Sequence, residues 1–431
     1  MRTTSERHGE TTVDEPDRLL SSATGGARLS KVVLANVILL TMIAPLATDM
    51  YVPAFPLVGN DLGAGATGVQ LTLTTFFVGM ALGQLVGGPF SDQRGRRGPL
   101  LASIVVLALA SAVCALSPTI GVMLVARFVQ GFSGGWAMVI ARAVVVDLTS
   151  GPRLVRSLNV VQGVAGIAPI VGPLVGALLL QLSGWRVSFW LLAAWAAVMI
   201  LCVALSVPES LPVERRHAGG IRRLRRSVGH VLGRPGFVGY LVVMAFSMGV
   251  TFAYVATSAF VLQSMNGLSP MMYSVDFALN AVGLTLVTLA AARMAGRVPT
   301  RTVIAVGLTA TGAAGVLLLV GAAWFDMPLW VAVVGFFVLM SAQGLVGPNA
   351  GALASAEVPE HSGTGSAVLG FLQWCTAGVI APLAGLGGER TAVPMAAIVL
   401  ALVAASFAAL ALAAHHPSSR PSTSGHPMSR S

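Results

Sequence analysis

Twelve apolar runs, near 32–56, 68–88, 100–117, 120–147, 158–181, 187–207, 237–262, 272–293, 302–324, 328–351, 364–386 and 392–414, occupy most of this 431-residue chain. Most are close to the ~20 residues that a helix needs to cross the hydrocarbon core of a bilayer. They are continuously apolar and lack the period-two alternation of outer-membrane strands, which predicts helices rather than a barrel. Composition agrees, with 55% apolar residues, 10% charged residues and a mean hydropathy of +0.82, far from the balance of a soluble domain. The expected fold class is an all-α integral membrane protein with twelve transmembrane helices.

The formal charge of +10 does not point to nucleic acid, because the bases follow the topology. Arg2, Arg7, Arg18, Arg28 and Lys31 precede the first run, and alternate connections hold Arg94, Arg96 and Arg97, then Arg153 and Arg156. The longest connection carries Arg215, Arg216, Arg222, Arg223, Arg225, Arg226 and Arg234, and a later one Arg293, Arg297 and Arg301. The opposite connections hold only Arg186 and Arg390. The positive-inside rule then puts both termini in the cytoplasm. The connection 352–363, with Glu357 and Glu360 and no base, is a local exception.

Five segments follow. Residues 1–30 and 415–431 read as disordered cytoplasmic tails, too polar to bury a core. Residues 31–208 and 237–414 form two six-helix bundles joined by a basic cytoplasmic linker, 209–236. The linker's IRRLRR at 221–226 reads as a topology-setting loop before a lipid-binding one. Cys114, Cys202 and Cys375 are scattered over three spans and imply no disulfide framework. All seven histidines fall in loops or tails, so no metal site, cofactor or His-based nucleophile is expected. A membrane-embedded enzyme would have to rest on serine or carboxylates alone.

Charged residues inside spans are costly and persist with a partner or a function. Asp49 and Arg127 each lie roughly 10 Å below the outer surface, counting 1.5 Å per residue, and are expected to form a functional pair. Burial favours the neutral acid and a nearby guanidinium the carboxylate, so such an acid can exchange protons. Gln130, one turn from Arg127, offers a polar group to a substrate. Asn280, Gln373, Trp374 and, in the first span, Tyr51 are further substrate-binding candidates. Asp276, roughly four residues inside the eighth span, fits an interfacial position with partial solvation as well as it fits a substrate role. Gly79, Gly83 and Gly87 form a small-residue stripe expected to let two backbones approach closely and surfaces slide. In the fifth span, Pro169, Gly172, Pro173 and Gly176 predict a bent helix with a narrow face.

The turn between the second and third runs, GPFSDQRGRRGP from Gly88 to Pro99, resembles the loop that marks the major facilitator superfamily of secondary transporters. That resemblance implies two pseudo-symmetric six-helix halves rocking about a midplane site. It also implies a gate built from Gly88, Asp92, Gly95 and Arg96. Asp92 is expected to cap another helix's start and Arg96 to pair with Asp147, latching the inner side. Gln93 departs from the usual basic residue, and ARMAGRVPTR at 292–301, the second-half counterpart, lacks the acid. GIAPIVGPLVGA at 166–177 resembles the drug:proton antiporter motif, with Ala177 in place of its last glycine.

TDMYVPAFP at 48–56, LVARFVQGFSGG at 124–135, LSPMMYSVDFALNAVG at 268–283 and GTGSAVLGFLQW at 363–374 together resemble the Bcr/CflA family of drug-efflux antiporters. The resemblance implies a monomer in the bacterial cytoplasmic membrane that exports lipophilic antibiotics such as chloramphenicol or bicyclomycin in exchange for protons. The competing transport reading is a proton-driven importer of a small metabolite.

Overall fold

The computed structural model describes residues 30–149, 151–216, 228–358 and 362–415. Both expected tails (apart from 30 and 415) and the linker's 217–227 lie outside these residues. Among the described residues, twelve helices are long and apolar enough to cross a membrane. They are α1 Lys31–Asp61, α2 Ala66–Arg94, α3 Arg97–Leu116, α4 Ile120–Leu148, α5 Arg156–Ser183, α6 Arg186–Ser206, α7 Pro235–Met265, α8 Pro270–Met294, α9 Thr300–Trp324, α10 Leu329–Glu357, α11 Thr364–Ala384 and α12 Val393–Ala413. Helices satisfy their own backbone polar groups, as lipid requires. Their exposed first turns are capped by side chains: Ser30, Thr119 and Ser269 accept from Val33, Val122 and Met272 N–H at the starts of α1, α4 and α8.

Two breaks follow from proline. Pro53 has no N–H to offer the Asp49 carbonyl, and the regular helix of α1 ends at Asp49 before a short 3₁₀ turn, Val52–Ala54. Pro169 likewise cannot serve Ala165, and α5 divides between Ala165 and Ala168. The regular helix of α5 is thus interrupted just before Pro169, where the sequence predicts a bend.

The glycine stripe of α2 lets two backbones approach closely, but not as a sliding surface. A side chain at Gly79 or Gly83 would overlap the α4 backbone at Phe128 and Phe132, and one at Gly131 or Gly135 would overlap α2 at Phe76 and Met80. The stripe is a close backbone seam within the first half, which only glycine permits. It is not a surface on which the halves slide. α10 repeats the theme, since Gly344 lies against Leu284 and Thr288 of α8. Next to these glycines, Gln130 donates to Ser111 of α3 at 2.8 Å and Gln343 donates to Thr311 of α9 at 2.9 Å. The internal repeat, faint in sequence, is explicit in these paired Gln-Gly steps.

The apolar cores show how the halves meet. Val33, Ile104, Val144 and Val203 belong to a core confined to the first half, and Phe237, Ile304, Ala354 and Ala413 to one confined to the second. Both sit toward the end that carries Lys31 and His415, the basic face. At the opposite end, Phe55, Phe77, Phe260 and Phe336 share one continuous core. Among the described residues, three hydrogen bonds join the halves there: Gln70 to the Ala256 carbonyl (2.9 Å), Gln263 to the Pro53 carbonyl (3.1 Å) and Thr67 to the Gly385 carbonyl (3.3 Å). The cleft between the halves is closed at that end and opens toward the basic face.

Candidate functional site

A cavity of about 340 Å³ lies between the halves. Thr41, Pro45, Thr48 and Asp49 of α1, Gln84 of α2, Met138 and Arg142 of α4 and Pro169 of α5 form one wall. Met248, Phe252 and Tyr254 of α7, Phe277 of α8, Met340 of α10 and Gln373 and Trp374 of α11 form the other. The surface is mostly apolar, with aromatic rings and methionines among its lining and a few polar groups between them, the usual make-up of a small-molecule pocket. A larger groove of about 560 Å³ runs between α3 and α4 but is lined by aliphatic, alanine and glycine residues such as Leu109 and Val125. Those side chains are exposed on the outside of the bundle, so this is a lipid-facing furrow.

Asp49 sits on the cavity wall with only 6% of its surface exposed. Thr48 Oγ1 lies 3.0 Å from its carboxylate. Behind it, the narrow face of α5 presses close: a Cβ at Gly172 would lie 2.9 Å from the Asp49 Cβ, and one at Gly176 would overlap the Met50 carbonyl. The glycines of the fifth-span motif thus create the room that Asp49 occupies.

Arg127 does not pair with Asp49, contrary to expectation. Its Nη1 donates to the Ala47 carbonyl at 3.0 Å and to Gln130 Oε1 at 2.7 Å. The guanidinium carbon lies 4.3 Å from the Phe76 ring centre, 5.2 Å from Tyr51 and 5.7 Å from Phe189. This fully buried, ring-enclosed site satisfies the cation through π faces and backbone rather than an acid. Among the described residues, its Nε and Nη2 have no hydrogen-bond partner. The bond to Ala47 ties α4 to the turn of α1 that presents Asp49.

Three substrate-binding expectations also move. Tyr51 is buried between Phe55 and Phe189, at ring distances of 4.9 and 5.2 Å. Gln130 is committed to Arg127 and Ser111. Asn280 lies behind the wall, bonded to Tyr254 and Asp276. None of these three lines the cavity; Gln373 and Trp374 do. Arg142 and Gln84 line it without having been expected there. The signal available for Arg142 was a charge inside the last two turns of α4, a position from which a long side chain reaches water as readily as a cavity. Asp276 is buried, 8% exposed, rather than solvated at an interface.

At the basic end, Arg96 Nε donates to Asp147 at 2.9 Å and its Nη1 meets Asp92 at 2.6 Å. Burial works against the Arg96 charge, but the Asp147 bond and the two carboxylates outweigh it and raise its proton affinity above the ordinary guanidinium value. Among the described residues, Asp92 caps no other helix. That task falls to Glu209, which accepts from the backbone N–H of Arg96 (2.7 Å) and Arg97 (3.2 Å) at the start of α3. Gly95, at φ +93°, gives Glu209 its approach, since a Cβ there would lie 2.5 Å from the carboxylate. Gly88 lies on the same end of α2 beside Val139. The expected pair of Arg96 with Asp147 is thus present, and all of these contacts lie within the first half.

The sequence matches the Major Facilitator Superfamily profile over residues 37–382, and the chain belongs to that superfamily: it is a membrane transporter, not an enzyme. An uncharacterized MFS-type transporter of Bacillus subtilis (strain 168) is 36% identical over 383 residues, covering 88% of this chain and 94% of the relative. A bicyclomycin resistance protein homolog of Haemophilus influenzae is 27% identical over 374 residues, covering 86% and 94%. This agrees with the Bcr/CflA resemblance of the four stretches. Among solved structures, a bacterial homolog of the human lysosomal transporter Spinster, inward-facing and occupied, shares the fold with a TM-score of 0.69 at 14% identity, covering 89% of this chain and 96% of that one. With twelve spans and bacterial relatives, the chain is a multi-pass protein of the bacterial cytoplasmic membrane.

Proposed function

We propose that this transporter exports small, largely apolar drugs from the cytoplasm in exchange for protons, by alternating access. The reading takes the basic face as cytoplasmic, following the positive-inside rule, so that the cleft described here opens inward. One observation carries it: Asp49 is a buried carboxylate on the wall of an aromatic cavity, at the break of α1. A carboxyl so placed, carried by α1, meets drug on one side and the narrow face of α5 on the other, and its charge matters to both. Drug and proton then compete for one state of Asp49. The resistance name of the Haemophilus relative supports a drug cargo. Arg127 holds the Asp49 turn of α1 in register, and the contacts of Arg96 with Asp92 and Asp147 keep the basic ends of α2, α3 and α4 moving as one body.

The test is chloramphenicol transport by purified protein in liposomes with an imposed pH difference. Uptake against the proton gradient is expected for the wild type, and Asp49→Asn should remove its dependence on that gradient while leaving the protein folded in the membrane. Gradient-driven transport by Asp49→Asn equal to wild type would remove Asp49 from the mechanism.

A further inference from the structure

Behind the second wall of the cavity lies a buried polar chain that the mechanism above does not use. Asp276 and Asn280 stand one turn apart on α8. Asn280 Nδ2 donates to Asp276 Oδ2 at 3.0 Å and to the Tyr254 hydroxyl at 2.9 Å. The Ser258 and Tyr273 hydroxyls meet at 3.0 Å nearby. Tyr254 belongs to the cavity wall. Two features stand out. No Arg, Lys or His lies within ion-pair distance of Asp276 among the described residues. Asn280 Oδ1, fully buried, accepts no hydrogen bond.

We propose that Asp276 is a second proton-binding site, in the second half, and that Asn280 relays its state to the cavity through Tyr254. The relay follows from the donor and acceptor inventory. With Asp276 ionised, the Asn280 amide group donates to both Asp276 and Tyr254, as observed. When Asp276 takes one proton from water, it becomes a donor, and the amide turns over so that Oδ1 accepts from both the acid O–H and the Tyr254 O–H. The oxygen idle in the first arrangement becomes doubly used in the second. Tyr254 changes from acceptor to donor at the cavity wall, and loss of the proton reverses each step.

The groups facing Asp276 are few. α7 presents Tyr254, α8 itself Tyr273, and α1 Asp49 beyond Tyr273. The packed segment of α5 carries no titratable side chain, and α10 carries only Glu357 at its far end. The inference rests on the reading that protons drive this transporter, but its test is independent of Asp49 and of any drug.

Infrared difference spectra of the reconstituted full-length protein, taken between acid and alkaline pH, report carboxylic acid C=O bands directly. A band lost in Asp276→Asn, retained but displaced in Asp276→Glu, and shifted in Tyr254→Phe is the expected result. Asp49→Asn should leave that band in place. Spectra of Asp276→Asn identical to wild type would overturn the proposal, as would a band indifferent to Tyr254→Phe, because either denies the proton or the relay. Should Asp276→Asn fail to fold, an unmoved spectrum in both Asp276→Glu and Tyr254→Phe would overturn it equally.

Discussion

Gly172 of α5 and Asp49 of α1 are so close that a methyl group on the glycine would lie 2.9 Å from the aspartate's Cβ, nearer than carbon atoms approach without a shift. Gly172→Ala is therefore expected to push α5 away from α1 at the cavity wall. Overpacking of this kind costs about 1–3 kcal/mol. Drug efflux and the thermal midpoint in detergent should both fall. Gly163→Ala on the same span is the control, because nothing lies within 4 Å of its added Cβ. Equal behaviour of the two variants would show that the α1–α5 contact does not constrain Asp49.

Gln70 holds the closed end from α2, donating to the Ala256 carbonyl across the halves. A buried hydrogen bond of this sort contributes about 1 kcal/mol net, so Gln70→Ala should shift the conformational equilibrium about fivefold toward opening at that end. A cysteine placed at Thr251, with Cys114, Cys202 and Cys375 replaced, reports the change through labelling by a membrane-impermeant maleimide from the side opposite the termini. An unaltered labelling rate would mean that the aromatic contacts alone hold the seal.

What the sequence made legible were features in which one residue type answers a local demand. Twelve spans follow from hydropathy, the break in α5 from Pro169, and the placement of Asp49 from the cost of an unneeded charge in lipid. The failures concern helix rotation and distant partners. Arg127 and Gln130 share a face of α4, as their spacing requires. That face turns to α3 and α1 because Gly131 and Gly135 press against α2, a fact set by four helices together. Glu209 caps α3 from 113 residues away from Arg96, and no local pattern announces such a partner. Asn280 has the correct depth yet lies one layer behind Tyr254, which only packing decides.

Asp147 and Asp92 both contact Arg96, but they are not equivalent. Asp147 has 18% of its side chain exposed and also accepts from Ser210 at 3.0 Å, whereas Asp92 is 49% exposed. Losing a shielded, charge-assisted bond costs about 1.5–3 kcal/mol, and losing an exposed ion pair about 0–1 kcal/mol. Asp147→Asn should thus lower the thermal midpoint in detergent more than Asp92→Asn does. The opposite order would show that Asp92 carries the tie between α2 and α3.

Trp374 belongs at once to the cavity wall and to the seal behind it, with ring distances of 5.4 Å to Phe77 of the other half and 6.1 Å to Phe252. Removing the ring deletes an aromatic contact worth about 0.5–1.5 kcal/mol beyond its area and opens space where an apolar drug would otherwise be held. Trp374→Ala should raise the chloramphenicol concentration for half-maximal transport by about 2–10-fold, and Trp374→Phe should recover most of the loss. Tyr51→Phe provides the contrast, because its ring faces Arg127, Phe55 and Phe189 rather than the cavity. It keeps those ring contacts and should leave the half-maximal concentration unchanged. If Tyr51→Phe shifts it as far as Trp374→Ala does, the drug binds against the Arg127 enclosure and not in the space that Asp49 lines.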